Sequence, residues 1–572
     1  MHINLRVLIK ILGVLTLLEG LFMLPCAVVG LHFREWQAAS PLFTVSIFCI
    51  CIGFIILTQM HFDKIKLHFH EGHLIACLSW IFCSFIGAFP FYYCGKDYSF
   101  ISCYFESVAG FTTTGCTVFA LDELPRCLLL WKAVSNWLGG MGILVLLVSI
   151  FPVLGISGQS IASAEATGPS LEKIGGHFSD TGKFLYLTYI SFSAAEFLLL
   201  ALGPLSPFDA LINTFSSIST AGLVITSSNA AAFTSTYIRA VVMLFTILSS
   251  LNYTLYYFAL CGSPQSLFKN IEVRIFGVII AAATLLIAFS LRVTGTYSSL
   301  CQAIKDGLCQ VVSFISTSGY YVCDYPEWPT FPTVVLFSLL FVGGCCMSTS
   351  GSLKVIRIIV LLKLIKRGIF KQIHPNAVKA VVVDGKALSA DKVSAITTHI
   401  LLFFGVFFFS CLVLSWNNFD LETTITTTLA IFTNTGMALG TPGCSGYFGM
   451  FNGFSQLFLT FLMIAGRLEI YAILLLFSWI TRKLSDPFCL PHGTHKNRLC
   501  RESYTQRQKT KDKSVPNKIQ LSMHIWRSFK SAALQGTFVN IPETSQAIFP
   551  MQSKKTPRSV FSFSYRYLVL IY

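Results

Sequence analysis

The chain has 572 residues, of which 54% are hydrophobic and only 12% charged, and its mean hydropathy is +0.68. That balance excludes a water-soluble globular domain and reads as an integral membrane protein. The 41 Lys and Arg against 26 Asp and Glu leave a net charge of +15, and the 19 cysteines show no C-x-x-C pair, which argues against a zinc or redox role.

A spanning helix needs about 20 mostly apolar residues. Runs of that kind occur at 5–30, 41–59, 72–92, 130–153, 183–203, 236–260, 272–291, 330–365, 393–416 and 453–480, which predicts ten spans. The first run is long enough to stay in the membrane and no small-residue cleavage pattern ends it, so no cleavable signal peptide is expected. Basic loops stay in the cytoplasm. Lys64 and Lys66, Lys269 and Arg274, and the set Lys363, Lys366, Arg367, Lys371, Lys379, Lys386 and Lys392 all fall on one side if the chain starts inside, which also places the C-terminus inside. The opposite loops carry Asp97, Asp122, Glu123, Asp209, Asp324, Glu327, Asp420 and Glu422. A weakly acidic outer face suits cation entry, and the same acids also fit plain solvated loops. Cysteines inside spans, such as Cys49, Cys51, Cys77, Cys345, Cys346 and Cys411, serve as small hydrophobes.

One short cluster recurs: FTTTG at 111–115, ISTAG at 218–222, ISTSG at 315–319 and FTNTG at 432–436, with glycines 107, 97 and 117 residues apart. Aligned, the first column is bulky (Phe111, Ile218, Ile315, Phe432) and the second always a hydroxyl (Thr112, Ser219, Ser316, Thr433). The third is polar (Thr113, Thr220, Thr317, Asn434), the fourth small (Thr114, Ala221, Ser318, Thr435), and the fifth is Gly115, Gly222, Gly319 or Gly436. Five positions before the bulky residue stands Glu106, Asn213, Gln310 or Thr427, on a segment too short to span. A single copy reads as an ordinary turn. Four in register with the spans read as repeated span, short descending helix, polar turn and span. Backbone turned out of helix at membrane depth is tolerated where it is buried or lines a water-filled path. Four such turns about one axis would form a ring of carbonyls able to replace the hydration shell of a monovalent cation.

With these clusters, WLGGMGI at 137–143, AEATGP at 164–169, GGCCMSTSGSLKVIRI at 343–358, IHPNAV at 373–378 and GRLEIYAILLLF at 466–477, the sequence resembles the Trk/Ktr/HKT superfamily of potassium transporters, bacterial TrkH type. The two spans that precede the first cluster unit favour that type. The resemblance covers residues 1 to about 485 and implies an all-α membrane protein of ten transmembrane and four re-entrant pore helices, in four pseudo-symmetric repeats around one pore. It implies the boundaries 1–71 for two extra helices, then repeats at 72–155, 183–260, 272–365 and 393–484. It also implies a homodimer in the bacterial inner membrane, a cytosolic TrkA-like nucleotide-binding ring as partner, potassium as the transported ion without an organic cofactor, and a filter formed by the second to fifth columns.

Within 330–365, Gly343, Gly344, Cys345, Cys346, Met347, Ser348, Thr349, Ser350, Gly351 and Ser352 interrupt an apolar helix. Small and hydroxyl residues there allow either a loop or close helix packing; the resemblance implies an intramembrane gate. Met347, Ser350 and Ser352 stand where the family pattern has glycines, which is expected to restrain the loop. Arg467, a charge inside a span, fits a barrier facing the path, with snorkelling or pairing to Glu469 as the bland alternatives. Met437 and Ala438 replace a Pro-Gly pair after the fourth turn and are expected to reshape the outer wall. Residues 485–572 read as a basic cytoplasmic tail, disordered in large part and open to contact with anionic lipid. A transporter of another small solute, or a sodium-permeable or poorly selective cation path, are the competing readings. The chain lacks a nucleophile elbow, a P-loop and an H-E-x-x-H motif, which disfavours an enzyme, and nothing points to nucleic acid.

Overall fold

In the computed structural model of the chain, the described residues are 5–59, 69–94, 98–142, 178–222, 235–323, 325–377, 379–440 and 447–485. They belong to one unit that closes at Ser485; the second unit, Asp486–Tyr572, lies outside the described residues, as do AEATGP and the expected tail. The regular structure of the described residues is helical apart from a hairpin pairing Val382–Val383 (β1) with Lys386–Ala387 (β2) and a lone parallel bridge between Thr117 and Tyr447. Asp384 and Gly385 at the hairpin's tip both take positive φ, as a two-residue hairpin turn requires.

Two helices come first, α1 (Leu5–His32) and α2 (Trp36–Gln59). They cross closely because glycine stands at the contacts: a Cβ on Gly53 would meet the Leu17 amide nitrogen at 2.7 Å, and one on Gly20 the Ser46 carbonyl oxygen at 2.8 Å. Then a pattern repeats. A long helix leads to a short one, and a second long element follows: α3 (Phe69–Tyr92), α4 (Phe100–Phe111) and α5 (Arg126–Gly140); α6 (Phe178–Ala201), α7 (Pro207–Ile218) and α8 (Thr236–Ser250) with α9 (Tyr253–Leu260). After a single turn, α10 (Gln265–Lys269), the pattern continues with α11 (Ile271–Val293), α12 (Leu300–Ile315) and α13 (Thr330–Leu340) with α14 (Val355–Ile373). The last round is α15 (Ala390–Leu414), α16 (Leu421–Phe432) and α17 (Gly453–Arg467) with α18 (Tyr471–Ser485).

Among the described residues six helices are long and apolar enough to cross a membrane, or eight if each bent pair is one span. The expected spans 236–260 and 453–480 are therefore not straight: α8 and α9 meet at 91°, α17 and α18 at 116°. The causes are local. Leu251 is extended and the Asn252 side chain caps α9 by accepting from the Thr254 amide, whereas Glu469 and Ile470 both hold left-handed φ. The 330–365 run is two helices joined by residues 341–354, and the 130–153 run passes after Gly142 outside the described residues. Bond partners for the carbonyls freed at the α8 break come from elsewhere in the fold: the Cys345 amide donates to the Ser250 carbonyl at 2.9 Å and the Thr349 amide to that of Ser249 at 3.3 Å.

Candidate functional site

The four short helices each begin at a polar residue: Ser99, Ser206, Ser299 and Asp420, three of which accept a first-turn amide with their side chain. Each ends in the recurring cluster. Thr112, Ser219, Ser316 and Thr433 close the helices, and Thr113, Thr220, Thr317 and Asn434 follow with φ of 55°, 51°, 58° and 56°. The amides of those four donate three residues back, Thr113 to Gly110, Thr220 to Ser217, Thr317 to Phe314 and Asn434 to Ile431, at 2.9–3.2 Å. The next amides donate five back, Thr114 to Ala109, Ala221 to Ser216, Ser318 to Ser313 and Thr435 to Ala430, at 2.8–3.0 Å. This pair of bonds is the Schellman helix end, whose left-handed position normally takes glycine. Here β-branched threonine occupies it in three copies, a conformation costing on the order of 1–3 kcal/mol that persists only where surroundings impose it. Of the four, only Asn434 is of a type that commonly takes this conformation, so adjacent sequence gives no sign of it at Thr113, Thr220 and Thr317.

Gly115, Gly222, Gly319 and Gly436 are left-handed too, at 54–74°. A Cβ built on Gly115 would collide with the Ala221 carbonyl oxygen, on Gly222 with that of Ser318, on Gly319 with that of Thr435, and on Gly436 with that of Thr114. The fourth-column carbonyls thus abut the glycines of the preceding copies in cyclic order, and the four turns, some 320 residues apart along the chain from first to last, form a closed ring. The fourth- and fifth-column residues of all four copies meet there, and the second and third columns lead each helix end into it. The second-column hydroxyls bond the carbonyl one helical turn back in three copies, Thr112 to Val108, Ser219 to Phe215 and Thr433 to Leu429, at 2.6–2.9 Å. Those side chains satisfy their own helix ends. Four helix C-termini converge on the ring, each with the equivalent of about half a negative charge, which favours a cation.

The segment 343–352 lies against the same ring. The Thr349 hydroxyl is 3.2 Å from that of Thr220, the Gly351 amide donates to the Thr317 hydroxyl at 2.8 Å, and Gly351 packs on the Thr433 carbonyl oxygen so tightly that a Cβ would collide. Gly343, Met347, Ser352 and Lys354 have positive φ, whereas Ser350 does not. Gly344 has no room for a Cβ beside Ser350, and the Cys346 amide donates to Glu272 at 2.7 Å. Ser348 donates to the Cys345 carbonyl at 2.5 Å. Arg467 reaches in from the end of α17 and donates to the carbonyls of Thr349 at 2.8 Å, Gly139 at 2.6 Å and Gly140 at 2.5 Å. Its guanidinium thereby joins the segment to the negative end of α5. Glu469 is paired with Arg357 instead.

Three ionic groups escaped the sequence reading. Lys132, inside the 130–153 run, forms a fully buried ion pair with Glu106 and also donates to the Cys116 carbonyl at 2.9 Å. Glu106 accepts from the Thr117 hydroxyl at 3.0 Å and the Val118 amide at 3.0 Å, so its carboxylate anchors the chain leaving the first turn. Lys354 donates to the Ser350 carbonyl, and Arg357 holds Glu469 at the α17–α18 bend. A charged residue within an apolar run was the available signal in each case. At the expected altered outer wall, Met437 and Ala438 are buried, and the Ala438 carbonyl accepts from the Tyr325 hydroxyl at 3.2 Å.

The protein family described as "TrkH: Cation transport protein" matches residues 39–484. The Trk system potassium uptake protein TrkG of Escherichia coli (strain K12) is 32% identical over 481 residues, covering 83% of this chain and 98% of its own length. The Trk system potassium uptake protein TrkH of Vibrio parahaemolyticus is 33% identical over 478 residues, covering 82% and 98%. The crystal structure of the potassium transporter TrkH from Vibrio parahaemolyticus is similar at a TM-score of 0.74 and 31% identity, covering 83% of this chain and 98% of that one.

Proposed function

The chain belongs to the TrkH family of cation transport proteins, and from that premise we propose that it takes up potassium across the bacterial inner membrane through the ring of four turns. The observation that carries this reading is the cyclic closure of Gly115, Gly222, Gly319 and Gly436 on their neighbours' carbonyl oxygens. A monovalent cation gives up its hydration shell only where oxygens replace it, and a ring of main-chain carbonyls does so without a fixed charge that would trap the ion. The second to fifth columns form the filter in this reading. The four short helices are re-entrant pore helices, whose C-terminal dipoles favour the desolvated cation. Ten spans with both termini cytoplasmic complete the arrangement, supported by the sidedness of the basic loops.

Residues 343–352 act as the gate: lying against Thr220, Thr317 and Thr433, they obstruct the path beyond the ring. Arg467 pins that segment through Thr349 and adds a fixed positive charge beside the path. Opening requires those bonds to be exchanged. A cytosolic nucleotide-binding ring of the TrkA type is the partner that would drive the exchange, and two copies of the chain would assemble as a dimer; the potassium-uptake names of the relatives support the ion, and their Trk-system names support a multi-component assembly.

The test is rescue of a potassium-uptake-deficient bacterium at low external potassium. The chain should restore growth and Gly222→Ala should not, at equal membrane expression. Full rescue by Gly222→Ala would sink the assignment of the ring as the ion path.

A further inference from the structure

Helices α1 and α2 stand outside the fourfold pattern, and between them and α3 runs a half-open groove of about 540 Å³. One wall follows α2 from Thr44 to Ile56, about 18 Å at 1.5 Å per residue, more than half the depth of a hydrocarbon core about 30 Å thick. Phe48, Phe85 and Tyr93 on its rim are 65%, 43% and 54% exposed, so the groove opens sideways from the spanning helices. Its walls ask for no polar partner along their length. The Thr16 and Thr44 hydroxyls already donate to the Leu12 and Ser40 carbonyls at 2.8 and 2.9 Å, and the Tyr93 phenol lies just past the end of α3.

The shape selects the occupant. The groove runs about 18 Å along a spanning helix, is lined almost wholly by apolar side chains and opens toward the hydrocarbon, which suits a lipid acyl chain. The wall also leads to the ring, because the rings of Phe85 and Phe89 lie 5.5 and 5.8 Å from Phe100, the first residue of α4. We propose that this groove is a binding site for one acyl chain of a membrane phospholipid, and that the chain, packed against Phe85 and Phe89, steadies the outer end of the first short helix.

The experiment uses the full chain, purified, stripped of loose lipid with detergent and weighed intact by native mass spectrometry. The wild type should retain one phospholipid that Cys49→Phe, which places a ring on the groove floor, loses. Thr44→Phe, at an exposed rim position, covers the case in which Cys49→Phe fails to fold. Equal lipid retention in wild type and both variants overturns the site, and a variant that instead changes the number of chains per particle identifies the groove as a contact between copies. The consequence for α4 is read as rubidium flux in liposomes, where stripped wild type should fall about fivefold and recover on adding palmitoyl-oleoyl phosphatidylglycerol, with Cys49→Phe indifferent to both steps. Unchanged flux on stripping overturns the link to α4. The mass arm does not depend on the potassium reading, so the two proposals fail separately.

Discussion

A methyl group on Gly222 would overlap the Ser318 carbonyl oxygen, which is backbone and cannot rotate away. The residue scale is therefore unforgiving at the ring, and loss of rescue by Gly222→Ala is expected without loss of the folded protein, measurable as unchanged elution of the purified chain. The buried pair of Glu106 and Lys132 fails differently. Removing one partner leaves an uncompensated charge in the interior, a loss of about 3–5 kcal/mol, so Lys132→Met should lower the thermal unfolding temperature sharply. The double variant Glu106→Gln with Lys132→Met should recover much of that loss in the same melt. Glu106 was legible as an unusual acid on a short helix; its pairing with Lys132 was not, because the lysine sits in another helix and only folding brings the two together.

At the scale of elements, the segment 343–352 holds two non-glycine residues, Met347 and Ser352, in left-handed backbone. By sequence, the lack of glycine at these positions is expected to restrain this loop. Strain of roughly 1–3 kcal/mol per such residue weighs against the conformation that rests on the ring, and so favours leaving it. Met347→Gly should therefore stabilise the closed loop and lower rubidium flux measured without a regulatory partner, since the gain at positive φ exceeds the entropy that glycine costs. Arg467→Gln acts in the opposite sense. It removes charge-assisted bonds to three carbonyls, each worth about 1.5–3 kcal/mol, and partner-independent flux should rise by an order of magnitude or more. Flux unchanged in both variants would show that the segment is not the gate. The bends at Leu251–Asn252 and Leu468–Ile470 were hidden from hydropathy because apolar composition continues through them; they exist because Asn252 caps a new helix and because neighbouring backbone bonds the freed carbonyls.

For the whole molecule, the match to the family ends at residue 484 and the described unit at Ser485. A chain truncated after Ser485 should rescue the potassium-uptake-deficient strain as well as the full chain does, and failure at equal expression would assign the tail a necessary role. The two N-terminal helices are a different case: they pack on the first repeat through glycine contacts and border the groove, so their deletion should cost folding itself, seen as loss of a monodisperse particle.

Composition alone determined that this is a multi-pass helical membrane protein, because hydrocarbon imposes long apolar helices whatever the fold. The four clusters were legible as a set because each helix end needs the same local backbone, and local backbone is written in adjacent residues. Tertiary structure decided what contiguous sequence cannot carry: that the four turns close on one another in order, that the third column is left-handed as well as the glycine, that Arg467 reaches Thr349 while Glu469 goes to Arg357, and that Lys132 meets Glu106. Each of those facts joins residues from separate helices, and only packing fixes their distance.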